Sequence, residues 1–135
     1  MSTIEDVLFA RLSGFAGLTA LVSTRIYPLK LPQSPVYPAC VYLRASTGRE
    51  QLMGNDAGIV RPRFQVSTYA QKYSDATSGL IETAEQVRLA LQRYRATVSG
   101  FVIEDIYLLT ENDAWSDEPP VYARHQDFEI VYEGQ

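Results

Sequence analysis

The sequence predicts an α+β fold of two layers, in which two helices pack on one face of an antiparallel four-stranded sheet in the order α-β-β-α-β-β. Residues 61–69 alternate apolar and polar side chains, as a strand with one buried face does. The segment after them repeats apolar residues at steps of three and four, which is the period of one helical face. A half-buried strand that leads into an amphipathic helix needs a sheet on which that helix can pack.

Length and composition indicate an ordinary soluble domain. The 135 residues are 46% hydrophobic and 21% charged, which suits a single domain over residues 1–135 with one core. The net charge of −4 argues against binding nucleic acid by bulk attraction. Cys40 is the only cysteine, so no internal disulfide can form. The amino terminus is acidic and no apolar run reaches the ~20 residues that span a bilayer, so we expect no membrane contact.

The first segment predicts a helix over residues 3–13 followed by a short second turn. Ser2 and Glu5 fit a capping box. Gly14 and Gly17 interrupt the pattern, and each costs roughly 1 kcal/mol relative to Ala within a helix. The apolar face of the helix carries Ile4, Val7, Leu8 and Leu12, and the turn carries Leu18, Leu21 and Val22.

Four prolines between residues 25 and 38 predict an extended surface connector. No helix survives such spacing, and a central strand would lose ladder hydrogen bonds at each proline. Residues 39–46 follow as the first strand, with Val41, Leu43 and Ala45 expected on its core face. Residues 48–60 are rich in Gly, Asn and Asp and predict a long hairpin loop. Leu52 and Met53 lie in this loop without an obvious core partner, which indicates a contact surface.

The second half predicts one helix and two strands. Ser74 or Asp75 is expected to cap the helix, which ends near residue 95. Residues 101–109 and 121–133 alternate as strands, and the acidic loop between them, residues 110–120, carries Trp115. The apolar face of the helix carries Ala76, Leu80, Ala84, Val87, Leu91 and Tyr94.

Two helices on one face leave the other face of the predicted sheet uncovered. We expect Cys40, Tyr42, Tyr69 and Tyr107, with one set of side chains from the last strand, on that face or at its margin. An aromatic face that no element of the chain covers suggests a partner. The alternative is that half-exposed tyrosines are simply common on open sheets.

The chain shows little catalytic chemistry. Cys40 and His125 are the only cysteine and histidine and belong to different predicted strands, so a small packed thiol and a surface imidazole are favoured over a nucleophilic pair. No phosphate-binding glycine motif is present. The carboxylates of the acidic loop lack the spacing of a calcium loop, and we interpret them as solvated: Glu111, Asp113, Asp117 and Glu118. The sequence therefore predicts no enzyme, no metal and no cofactor.

Six segments of the chain, in this order and spacing, resemble the tail-terminator (tail-completion) proteins of long-tailed bacteriophages. They are residues 25–28 (RIYP), 31–33 (LPQ), 38–42 (PACVY), 63–70 (RFQVSTYA), 73–76 (YSDA) and 87–91 (VRLAL). The resemblance implies a two-layer α+β subunit that assembles as a ring, usually of six copies, on the last ring of tail-tube protein. Such a ring stops tail polymerisation at the head-proximal end, presents a surface to the capsid neck, and lets genomic DNA pass without sequence-specific binding.

A protein of this kind is made in the host cytoplasm and resides in the virion tail, with the tube protein, a neck or head-completion protein and its own copies as partners. Two alternatives stay open, a neck adaptor or head-completion protein and a small-ligand-binding α+β domain. An enzyme that uses Cys40 or His125 ranks last. The residues expected at subunit or tube contacts are Arg49, Glu50, Leu52, Met53, Tyr42, Tyr69, Tyr107 and Trp115.

Overall fold

A computed structural model of the chain describes residues 3–52, 55–117 and 120–133, with the side chains of residues 49–57 left out. Three helices and six strands make up this described part. The helices are α1 (Ile4–Ser13), α2 (Ala16–Val22) and α3 (Leu80–Leu91). The strands are β1 (Ile26–Pro28), β2 (Ala39–Leu52), β3 (Asn55–Ala70), β4 (Ala96–Val98), β5 (Phe101–Asp117) and β6 (Pro120–Glu133).

The sheet has the order β1-β2-β3-β6-β5-β4 and curls into a half-barrel. Strand β1 runs parallel to β2, and all other neighbours are antiparallel. The predicted four-stranded antiparallel sheet with two helices is therefore wrong. The two missed strands are three residues long, too short to show an alternating pattern. The prolines of the connector did not prevent β1, because Pro28 ends an edge strand, where a missing N–H is tolerated.

Both predicted loops between strands are continuations of the strands themselves. Strands β2 and β3 stay paired through Gly48↔Arg61 and on to Leu52↔Asn55, and β5 and β6 stay paired to Asp117↔Pro120. Two register shifts in β2 accommodate the irregular sequence without ending the ladder. We call residues 45–59 the first arm and residues 109–122 the second arm.

All three helices lie on one face of the sheet, over a core that includes the fully buried Phe64 and Phe128. Cys40 and Tyr42 belong to this core. The prediction that Val41, Leu43 and Ala45 face the core, with Cys40 and Tyr42 opposite, is therefore wrong. The alternation of residues 39–46 did not identify the core face because Val41 is also buried, and apolar residues therefore occur on both faces of this strand. Replacing either phenylalanine with alanine would lower the free energy of unfolding by about 3–5 kcal/mol.

Capping of the helices differs in detail from the sequence prediction. Thr3 and Asp6 form the capping box of α1, with Thr3 Oγ1 accepting from the Asp6 amide at 3.2 Å and Asp6 Oδ2 accepting from the Thr3 amide at 3.0 Å. Ser2 lies outside the described residues. Helix α3 begins only at Leu80, because the Asp75 side chain accepts from the Thr77 amide at 2.9 Å and holds a turn that competes with the helix.

Asp105 occupies an irregularity of β5 and fastens the exit of α3 to that strand. Its side chain is 7% exposed and lies 2.9 Å from Arg93 Nη1 and 3.2 Å from Arg95 Nη2. Its Oδ1 accepts from the Ile106 amide at 2.9 Å. Desolvation raises the pKa of Asp105, but the hydrogen bonds from Arg95 and Ile106 and the two positive charges outweigh it, so the pKa lies below its ordinary value.

Asp105→Asn is expected to lower the thermal midpoint at pH 7, because the uncharged amide loses its attraction to Arg93 and Arg95. A depressed carboxylate pKa contributes stability above the unfolded-state pKa of about 3.9, and this contribution disappears as pH falls through the folded-state value. Melting curves from pH 7 down to pH 3 should therefore converge for the two proteins. Glu104→Gln, at the exposed neighbour, is the matched control; a constant offset for Asp105→Asn at every pH would contradict the assignment.

Cys40 is a packed thiol. It is fully buried, with its Sγ 3.7 Å from Thr68 Oγ1. Burial raises its pKa to about 12, against a smaller opposing effect of the Thr68 hydrogen bond, so the thiolate that reacts with alkylating agents is scarce at neutral pH.

We expect iodoacetamide at pH 8 to leave native Cys40 unmodified and to label it completely in denaturant, as read by intact-mass spectrometry. Ser46→Cys, at an exposed position of β2, supplies the control thiol and should react at once in the native protein. Rapid single labelling of the unaltered native chain would show that the thiol is accessible.

Candidate assembly interface

The two groups expected to carry any nucleophilic chemistry lie apart. Cys40 faces the helices, whereas His125 lies on the opposite side of the sheet, where its Nδ1 is 2.7 Å from Ser67 Oγ. The His125 ring also meets Tyr69 edge-on, at 6.3 Å between ring centroids. The structure therefore does not bring the cysteine and the histidine together as a catalytic pair.

The acidic stretch before β6 is part of the second arm. Asp113 Oδ1 accepts from Arg124 Nε at 2.7 Å and its Oδ2 from Arg124 Nη2 at 3.1 Å. The hydrogen bond from Arg124 holds the pKa of Asp113 below its ordinary value. Glu118 lies outside the described residues, and no group of three or more metal-binding side chains occurs within the part of the chain that is described. No described helix has the length and apolar character needed to cross a bilayer.

The face of the sheet opposite the helices is partly covered by the proline-rich connector. Leu31 and Tyr37 of the connector stand over a groove of about 300 Å³. The expectation that no element of the chain covers this face is therefore wrong. The other residues that line the groove come from β3, β5 and β6: Tyr69, Ala114, Trp115, Ser116, Val121, Ala123 and His125.

The three tyrosines expected on the open face occupy different surroundings. Tyr42 is only 9% exposed on the helix side, with its ring 6.2 Å from that of Phe9, so its predicted placement is wrong. Tyr69 is half-buried in the groove. Tyr107 is 39% exposed, with the Arg93 guanidinium 5.3 Å from its ring centre.

Trp115 is the most exposed of the large apolar side chains that the structure describes, at 73%. It pairs across the second arm with Tyr122, whose ring meets Tyr73 edge-on at 5.8 Å. We call Tyr73, Trp115 and Tyr122 the aromatic patch. The Tyr73 hydroxyl also donates to Asp113 Oδ2 at 3.2 Å. Exposed Trp and Tyr side chains beside an Arg–Asp pair match the composition of hot spots in protein–protein interfaces.

Sequence reasoning missed Tyr73 and Tyr122. The signal that would have found Tyr122 is the pairing of residues 110–117 with 120–127, which places Trp115 directly opposite it. The remaining predicted contacts lie in the first arm. Met53 is outside the described residues, and the side chains of Arg49, Glu50 and Leu52 are not described; their backbone belongs to β2. The described residues of the predicted contact set thus lie apart, in the core, at the groove, in both arms and, for Tyr107, on the exposed part of β5.

Two comparisons with known proteins gave matches, one to a family and one to a fold. The family described as "Tail completion protein gp17" matches residues 6–133 of the chain. No curated protein sequence matches it. A solved structure described as "Virion of native gene transfer agent (GTA) particle" contains a chain with a similar fold, at a TM-score of 0.75 and 18% sequence identity, covering 94% of this chain and 92% of that one.

Proposed function

The chain belongs to the tail completion protein gp17 family, and from this premise we propose that it caps the head-proximal end of the tail tube, ends tail polymerisation and joins the tail to the capsid neck. As a member of that family it is a structural component of the virion tail. The observation that carries the proposal is the family match over residues 6–133, which takes in all three helices and all six strands described apart from the first two residues of α1.

The mechanism we propose is geometric. A closed ring of identical subunits needs two different, complementary surfaces on each copy, and a cap needs one axial surface for the tube and another for the neck. The curled sheet, its two arms and the aromatic patch supply surfaces that the helices do not cover. We expect six copies per ring, with the tube protein and a neck or head-completion protein as the axial partners.

The charge of the subunit supports a passage for DNA. With a net charge of −4 per copy, a ring repels the phosphate backbone rather than retaining it. Genomic DNA would therefore move through the lumen without sequence-specific binding.

Particles assembled without this protein are expected to carry overlong tails, because nothing then stops the addition of tube subunits. Negative-stain electron microscopy of lysates from a deletion strain would measure the tail lengths, and supplying the gene in trans should restore one uniform length. Tails of normal length beside capsids that lack tails would instead assign the protein to the neck.

Trp115→Ala is expected to leave the subunit folded but to impair tail completion. The side chain is 73% exposed, so its loss should change the free energy of unfolding by no more than ~0.5 kcal/mol, whereas a buried tryptophan at an interface contributes about 2 kcal/mol or more. Circular dichroism melts and tail-length counts after complementation give the two readouts. Leu89→Ala, at an exposed position of α3, is the matched control, and normal tails with Trp115→Ala would remove this residue from the interface.

A further inference from the structure

The outer edge of β5 is free over most of its length. Strand β4 pairs only with Phe101–Ile103, and the Arg93 amide donates to the Ile106 carbonyl at 2.8 Å. From residue 107 to residue 117, no strand in the described part of the chain pairs with this edge. The run from Thr110 to Asp117 continues beside β6 without a register shift, so it presents a regular row of backbone groups.

The outer edge of β2 is free in the same way. Strand β1 pairs with Cys40, Val41 and Tyr42, and the Leu29 amide donates to the Tyr42 carbonyl at 2.9 Å. Beyond this point, from residue 43 to residue 52, β2 has no paired strand on its outer side among the residues described. The sheet therefore ends on both sides in a free edge of similar length.

Both edges lack the lysine and proline that commonly protect edge strands from pairing. Proteins guard exposed edge strands with lysine or proline, or keep them short. Residues 43–52 and 107–117 contain no lysine and no proline, and the β5 edge exposes Leu109 and Trp115. Register shifts interrupt β2 on either side of Ser46–Arg49 and β5 just before Thr110. The regular stretches, residues 46–49 and 110–117, are templates for an added strand.

Strand direction and charge both favour pairing of unlike edges. Three antiparallel steps, β2 to β3, β3 to β6 and β6 to β5, give β2 and β5 opposite directions, so β5 of one copy beside β2 of the next continues the antiparallel order. Arg44 is already paired with Glu5 and Asp113 with Arg124. Of the remaining charges, residues 43–52 contain one arginine and one glutamate, a net of zero, whereas residues 107–117 contain one glutamate and one aspartate, a net −2. Two β5 edges would instead bring like charges together, which is destabilising.

We propose that the free edge of β5 in one subunit pairs antiparallel with the free edge of β2 in the next copy of the same chain, and that this pairing closes the ring. The inference rests on the ring of the proposed function and identifies the surfaces that form it. Because the two edges differ, the contact is heterologous, as a closed ring with more than two members requires.

Cysteine cross-linking tests the pairing. Ser46 and the four positions Thr110, Asn112, Ala114 and Ser116 lie on the same side of the sheet, as their register with β3 and β6 shows. A disulfide needs Cα atoms about 4.4–6.8 Å apart, so Ser46→Cys should cross-link with only one or two of the four cysteine substitutions. Oxidation of that double variant should give a ladder on non-reducing gels up to the full ring. The buried Cys40 can stay in place.

Three controls separate the outcomes. Each single variant should give no ladder, and Ser46→Cys with Ser13→Cys, at an exposed position of α1, should give none either. A covalent dimer from Asn112→Cys alone would indicate β5–β5 pairing and overturn the proposal. Light scattering counts the copies independently: rings without a ladder from any of the four pairs would overturn the edge pairing and leave the tail cap standing. If the ladder forms but deletion of the protein leaves tail lengths unchanged, the proposed tail cap is overturned instead.

Discussion

The pairing of β3 with β6 is the contact on which the rest of the molecule depends. It joins the β2–β3 hairpin to the β5–β6 hairpin over a ladder that runs from Ile59↔Glu133 to Ala70↔Tyr122. On the helix side this ladder sets Phe64 beside Phe128, and both are fully buried. Because the two hairpins meet here, one sheet forms with a single face for α1, α2 and α3, and both arms extend from it.

The helix layer is fixed to this sheet by a few specific contacts as well as by apolar burial. The Glu5 carboxylate accepts hydrogen bonds from Arg44 Nη2 at 3.0 Å and from Arg44 Nε at 3.2 Å, and this pair fastens α1 to β2. Arg11 Nε donates to the carbonyl of Ala90 at 2.7 Å, and its guanidinium lies 4.1 Å from the Tyr94 ring centre. Asp105 fastens the segment that follows α3 through Arg93 and Arg95. The body of the subunit is therefore held at three separate points around the core.

The elements that were predicted correctly are those that depend on the local periodicity of the sequence. Helix α1 was expected over residues 3–13 and spans Ile4–Ser13, and the alternation of residues 61–69 identified the central part of β3. The elements that the prediction missed depend on contacts between residues that are distant in sequence. Strands β1 and β4 exist because β2 and β5 provide ladders for them, and the arms persist because each strand of a hairpin supports the other. The side on which Tyr42 lies could not be read from β2 alone, since side chains on both faces of that strand, such as Cys40 and Val41, are buried.

The aromatic patch, which we propose as a contact surface, was only partly predicted from the sequence. Trp115 stood out because a tryptophan in a polar stretch has no local explanation, yet Tyr73 comes from the segment before α3 and reaches Tyr122 only in the folded chain. Charge pattern alone did not show that Asp113 is bound to Arg124. Interface residues must complement a partner molecule, so the sequence of one chain alone gives only part of the information needed to identify them.

The described residues of the hydrophobic core include none between Leu109 and Pro120. The described part of this stretch, residues 110–117, thus adds no side chain to the core of the body that carries it. In the assembly that we propose, substitutions within residues 110–117 would change what a neighbouring molecule meets without removing a side chain from the core.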